Sequence, residues 1–241
     1  MILFYMTAAF ASSFQNLDIC QNQLVECEKI YQTQPQPTRN PNIYRFSDPQ
    51  LKDAKWLPLH ELRLNDPNSD LDTQLALIHL ISSTSGDWES ILLPLVQHEH
   101  VEIRSAIAQT TKWSSVEFQS AIINALQHDT SWEVRSELIR AIGYNQPKMH
   151  QDILIAALQD DMGRVRYDAI RVIGWNYLPV DMELLRPLLK DIDPMVRLHT
   201  LRAISRIYPN EVLSLAELNI LNQDESPMVR SEVQRLQAAA K

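Results

Sequence analysis

DDMGRVRYDAIRVIGWN, residues 160–176, decides the fold, because versions of it recur above and below at a fixed spacing. Stepping from Arg166 by 31 residues lands on Arg135 and Arg104 upstream and on Arg197 downstream, and a step of 33 then reaches Arg230. Self-similarity at such a period marks a repeat array, in which each unit is too small to bury its own apolar face. The flanks repeat too. A β-branched residue precedes each arginine (Ile103, Val134, Val165, Val196, Val229), and an aspartate stands six before it (Asp129, Asp160, Asp191, Asp224), replaced once by His98.

Within one unit the apolar spacing predicts two helices. Ile153, Leu154, Ala157 and Leu158 form one helical stripe, and Val165, Ala169, Ile170, Val172 and Ile173 form a second. Asp193-Pro194 and Ser226-Pro227 place a capping side chain before a proline at the first helical position, where the missing N–H costs nothing, and Ser131 is expected to cap likewise. Gly143 and Gly174, also 31 apart, read as left-handed residues ending their helices. Six helical pairs follow, at about 51–84, 87–113, 115–145, 148–176, 180–208 and 210–238. The first is degenerate: Trp56, Leu57, Leu59 and Leu62 supply one helix and Ala76, Leu77 and Leu80 the other, with Thr73 in the arginine slot. Terminal repeats are commonly atypical.

The set Asp129/Val134/Arg135, Asp160/Val165/Arg166, Asp191/Val196/Arg197 and Asp224/Val229/Arg230 resembles the HEAT-repeat family, in its short bacterial form similar to phycobilisome-lyase-like repeats. The resemblance covers roughly residues 51–238, within an expected repeat domain of residues 51–241. It implies an all-α, right-handed α-solenoid with an N-terminal segment, 1–50, as helix, linker or cap. It also implies that each aspartate closes its turn and pairs with an arginine of the adjacent repeat. The fold hosts many roles, so the ladder says little about function.

Composition narrows the field. The chain has 241 residues, 45% of them hydrophobic, with only four glycines, which suits a long helical stack. A net charge of −8 makes nucleic acid an unlikely partner, since that binding rests on Lys and Arg neutralising phosphates. No apolar run approaches the roughly 20 residues a membrane-spanning helix needs. Ile2–Ala11 has the length of a signal-peptide core but no basic start, the first cation being Lys29. A cytoplasmic protein is expected, with export the alternative. Cys20 and Cys27, on a helical reading, lie too far apart for a disulfide and read as free thiols, and residues 32–50, with four prolines, read as a linker or strap.

No cofactor or metal is expected. His98-Glu99-His100 sits in an intra-repeat turn, and His60-Glu61 is similar to a pair from deoxyhypusine hydroxylase that does not recur in the other units. The informative positions repeat without serving the core. Two after the ladder arginine stand Glu137, Asp168, His199 and Glu232, five after it Arg140, Arg171, Arg202 and Arg235, and nine after it Trp113, Tyr144, Trp175 and Arg206. On a helix these offsets share a stripe opposite the apolar one. That stripe predicts a groove with aromatics, arginines and acids in rows. Tyr144-Asn145 and Trp175-Asn176 are loosely similar to the Trp and Asn arrays of armadillo proteins, which hold extended peptides. The expected function is therefore a non-enzymatic protein- or peptide-binding scaffold. The alternatives are a HEAT-like DNA glycosylase, using Trp113, Trp175, Asp168, Arg140 and Arg171, and a phycobilin-lyase-like protein.

Overall fold

The computed structural model describes residues 52–110 and 114–239, and among them it has twelve α-helices and no strand. Residues 1–11, Cys20, Cys27, the proline-rich stretch and Trp113 lie outside the described residues. The chain divides into two compact units, to Ile91 and from Leu92.

The first unit contains α1 (Leu57–Leu64) and α2 (Leu71–Ile81). Asp70 caps α2 by accepting the Thr73 N–H at 2.8 Å. Trp56, Leu57, Leu59, Ala76, Leu77 and Leu80 are buried as the pattern predicts, whereas Leu62 is exposed. His60 and Leu64 fill the inner face instead, because the α1 turn presents positions four apart to α2. Gly86, at φ +107°, turns the chain back over Ala54 and Leu57.

The second unit is an all-α solenoid. A short α3 (Glu89–Leu92) leads into it and is followed by α4 (Val101–Thr110), α5 (Val116–Leu126), α6 (Trp132–Tyr144), α7 (Gln151–Ala157), α8 (Gly163–Trp175), α9 (Met182–Leu185), α10 (Pro194–Ile207), α11 (Glu217–Leu221) and α12 (Pro227–Ala239). The even-numbered members from α4 to α12 are the second helices of successive pairs and pack side by side in one row. First helices are short where proline intervenes. Pro94 and Pro187 convert the ends of α3 and α9 into 3-10 turns at Leu93–Gln97 and Arg186–Lys190, since proline supplies no N–H for the α ladder. The buried residues are the predicted stripes, with Leu154 and Leu158 facing Val165, Ala169, Ile170, Val172 and Ile173 in the central pair.

The aspartates and arginines make four equivalent rungs. Arg166 gives its Nε and Nη2 hydrogens to the two carboxylate oxygens of Asp191 in the next repeat, each at 2.7 Å, and its Nη1 to the Asp160 and Asp161 carbonyls of its own turn. Arg104–Asp129, Arg135–Asp160 and Arg197–Asp224 repeat this fork. Each aspartate also accepts the backbone N–H two residues on, at Ser131, Met162, Asp193 and Ser226, and so closes its turn. Burial alone would raise these carboxyls. The bidentate arginine and the turn N–H, helped by a second arginine at Asp129, Asp191 and Asp224 and by Asp161 at Asp160, outweigh it and hold all four below the usual carboxylate range. Among the described residues Arg230 keeps only the two carbonyl contacts of its own turn.

Two local expectations are corrected. Asp193 caps α10 through the Met195 N–H, but the Ser131 hydroxyl donates to Glu133 and makes no cap. Gly143 and Gly174 are not left-handed terminators but helical residues at close approaches. A Cβ on Gly174 would sit 2.7 Å from Ala203 Cβ and 2.9 Å from its Cα, and one on Gly143 would sit 2.5 Å from Val172 Cγ2. The left-handed residues are Gln146 (φ 42°) and Tyr177 (φ 52°), which stand just past α6 and α8.

Candidate functional site

The last turns of α6, α8 and α10 enclose an open groove of roughly 560 Å³ lined by Arg140, Gly143, Tyr144, Arg171, Val172, Trp175, Asn176, His199, Arg202 and Arg206. Gly143 is part of its lining, and without side chains at 143 and 174 the second helices approach closely enough to bring corresponding residues together. Tyr144 and Trp175 stand on its walls, 70% and 69% exposed. Arg206 lies over the Trp175 ring at 4.9 Å, a cation–π contact that holds both side chains upright. Asn176 lies at the junction with a second concavity along Gln146–Met149.

Of the residues singled out in the sequence, Arg140, Tyr144, Arg171, Trp175, Asn176 and Arg202 come together here, while Glu137, Asn145 and Asp168 do not line the groove. Asp168 corrects the stripe reading outright. Its side chain is fully buried, accepting from Ser136 Oγ of α6 at 2.7 Å and Arg164 Nε at 3.1 Å, with Arg171 Nε 3.6 Å away. A single-helix projection puts position 168 opposite the core, but the neighbouring second helix covers that flank. Glu137 and Glu232 are drawn under in the same way: Glu137 binds Arg140 at 2.7 Å, and Glu232 bridges Arg202 and Arg235. The Asn176 amide donates to the Val172 carbonyl of its own helix, which commits one of its two N–H groups.

The acids thus anchor the arginines from beneath, and the groove surface is cationic. His199 adds polarity without charge. Burial, with Arg202, Arg171 and Arg206 nearby, lowers its pKa to about 4, and the ring packs edge-on to Tyr167 at 4.7 Å. His199 and Arg206, which stand on the repeated stripe in register with Asp168 and Trp175 but were not among the binding candidates, also line the groove.

Comparison with known proteins now fits this geometry. A model described as HEAT repeats matches residues 120–205. That segment is therefore similar to HEAT repeats. The helical array is similar to the X-ray structure of YibA of E. coli, at TM-score 0.57 and 19% identity, over 83% of this chain and 75% of that one. A designed armadillo repeat protein in complex with the peptide (KR)4 is similar at TM-score 0.48 and 19% identity, over 77% of this chain and 99% of that one. At 19% identity the likeness to the YibA structure bears on the fold alone. No curated protein matches the sequence. Among the described residues no helix is long and apolar enough to cross a membrane, and no cluster of His, Cys, Asp and Glu is arranged to hold a metal.

Proposed function

We propose that this chain is a non-enzymatic binding module that holds a segment of a protein partner in the groove between α6, α8 and α10. The observation that carries the reading is the pair of exposed aromatics, Tyr144 and Trp175, on equivalent positions of neighbouring repeats and flanked by arginines in one concavity. Aromatic and arginine side chains supply most of the affinity at protein interfaces, because they bury much surface with few torsions to freeze. The groove lies within the volume range of ligand sites, yet it is open along its length, which suits a chain segment better than an enclosed small molecule. The glycosylase reading is weakened because Asp168, which it needs on the groove surface, is sealed beneath Arg164 and Arg171.

The test is affinity capture from cell extract with the native chain and with a Tyr144→Ala/Trp175→Ala variant, scored by quantitative mass spectrometry. Both aromatics are exposed, so the variant should melt within a few degrees of the native protein and lose the native-specific partners. An unchanged partner set with an unchanged fold would refute the groove as the binding surface.

A further inference from the structure

We infer that the groove selects an acidic peptide segment, reading carboxylates with the row Arg140, Arg171 and Arg202 and with Arg206. This deepens the binding-module reading and rests on it. The first support is a charge count at the site itself. Arg140, Arg171, Arg202 and Arg206 line the groove, no carboxylate lines it, and the acids beneath it number three, Glu137, Asp168 and Glu232. Among the described residues no carboxylate pairs with Arg206, whose contact is the Trp175 ring. The second support is depth. The carboxylates have side-chain exposures of 18%, 0% and 5%, whereas Arg140, Arg171 and Arg202 keep 34%, 36% and 41%. The acids therefore fix the arginines from below and leave outward N–H donors, which is how a planar guanidinium presents a fork to a second carboxylate. The chain as a whole is acidic at −8, so this concavity runs against the net field and offers an anion an arginine-lined groove.

Spacing adds a rule. Adjacent packed helices lie about 8–10 Å apart, and an extended chain advances about 3.3 Å per residue. Carboxylates three residues apart therefore meet successive arginines. An aromatic or aliphatic residue between them reaches Tyr144 or Trp175. His199 faces Arg171, Arg202, Arg206 and Glu232 and meets Tyr167 edge-on.

The experiment uses fluorescence anisotropy with the full chain and three labelled 15-residue peptides: Glu at every third position with a central Trp, and its Lys-for-Glu and Gln-for-Glu counterparts. A 15-nucleotide single strand of DNA is the fourth probe. The Glu peptide should bind at least tenfold tighter than the Gln peptide, weaken as salt rises, and lose at least fivefold with Arg206→Gln, a change that breaks no ion pair. Arg140→Gln/Arg202→Gln should lose more, and the Lys replacements should restore part of it. Equal binding of Glu and Gln peptides that still depends on Trp175 would overturn the acidic preference while leaving the binding module intact. Tighter binding of the Lys peptide or of DNA, or no detectable binding of the Glu peptide at millimolar concentration, would also overturn it.

Discussion

Truncating Arg166 to alanine removes two different things, and Arg230 offers the control that separates them. Arg166 forks onto Asp191 at 2.7 Å through both nitrogens, with side-chain exposures of 12% and 7%, and also holds the Asp160 and Asp161 carbonyls. Among the described residues Arg230 makes only the equivalent carbonyl contacts, to Asp224 and Glu225. Losing those contacts costs about 1 kcal/mol. Losing one partner of a buried pair costs about 3–5 kcal/mol. Asp191 retains its Asp193 N–H and the field of Arg197, which places Arg166→Ala near the lower end, about 3 kcal/mol. Arg230→Ala should therefore cost about 1 kcal/mol and the rung itself about 2. Urea unfolding followed by circular dichroism, with m-values compared, reads both numbers. The pH dependence gives a second signature. The folded Asp191 carboxyl sits below its ordinary value of 3.8, so the rung's contribution is present above that pH and is lost as pH falls through the folded value. The gap between native protein and Arg166→Ala should then narrow in acid. Equal losses for Arg166→Ala and Arg230→Ala, or a gap independent of pH, would refute the rung as a buried pair.

Gly174→Ala should destabilise by about 2 kcal/mol because the new methyl meets Ala203 backbone 2.9 Å away, and Ala203→Gly should restore part of it in thermal melts. Asp168→Ala should cost about 2–3 kcal/mol in the same urea assay, since it strands the Ser136 hydroxyl and leaves Arg164 and Arg171 without their shared acid; a loss under 0.5 kcal/mol would mean the carboxylate is solvated. His199 has a folded pKa near 4 against an ordinary 6.5, so the unfolded chain takes the proton first. Stability is at its full value above pH 6.5 and falls as pH drops toward 4, and His199→Gln should flatten that window in melts recorded at stepped pH.

The fold was legible because its determinants are local and repeated. The interval from Arg135 to Arg166 to Arg197, with the aspartate always six before, carries both the register and the pairing rule. The site was legible in part. Tyr144, Trp175 and three arginines share a helical face that any projection shows, but the burial of Asp168 depends on how the flanking second helix lies, which one helix alone does not contain. The glycines misled for a related reason. A glycine near a helix end is consistent with a left-handed terminator and with a close crossing, and only the neighbouring repeat, through Val172 or Ala203, decides between them.

The ladder also governs how such a chain can change length. Every rung joins an arginine to an aspartate 25 residues ahead, except Arg197–Asp224 at 27, where the extra two residues are taken up before α12 and the fork keeps its 2.7 and 2.8 Å bonds. Deleting residues 136–166 would leave Arg135 25 positions before Asp191, so the surviving rungs would close over the excision as though nothing had been removed. Gene-level loss or duplication of one unit is thus a conservative event for folding, while it shortens or lengthens the groove by one arginine and one aromatic. Reach along a partner can in this way evolve in whole steps, independently of the contacts that keep the array folded.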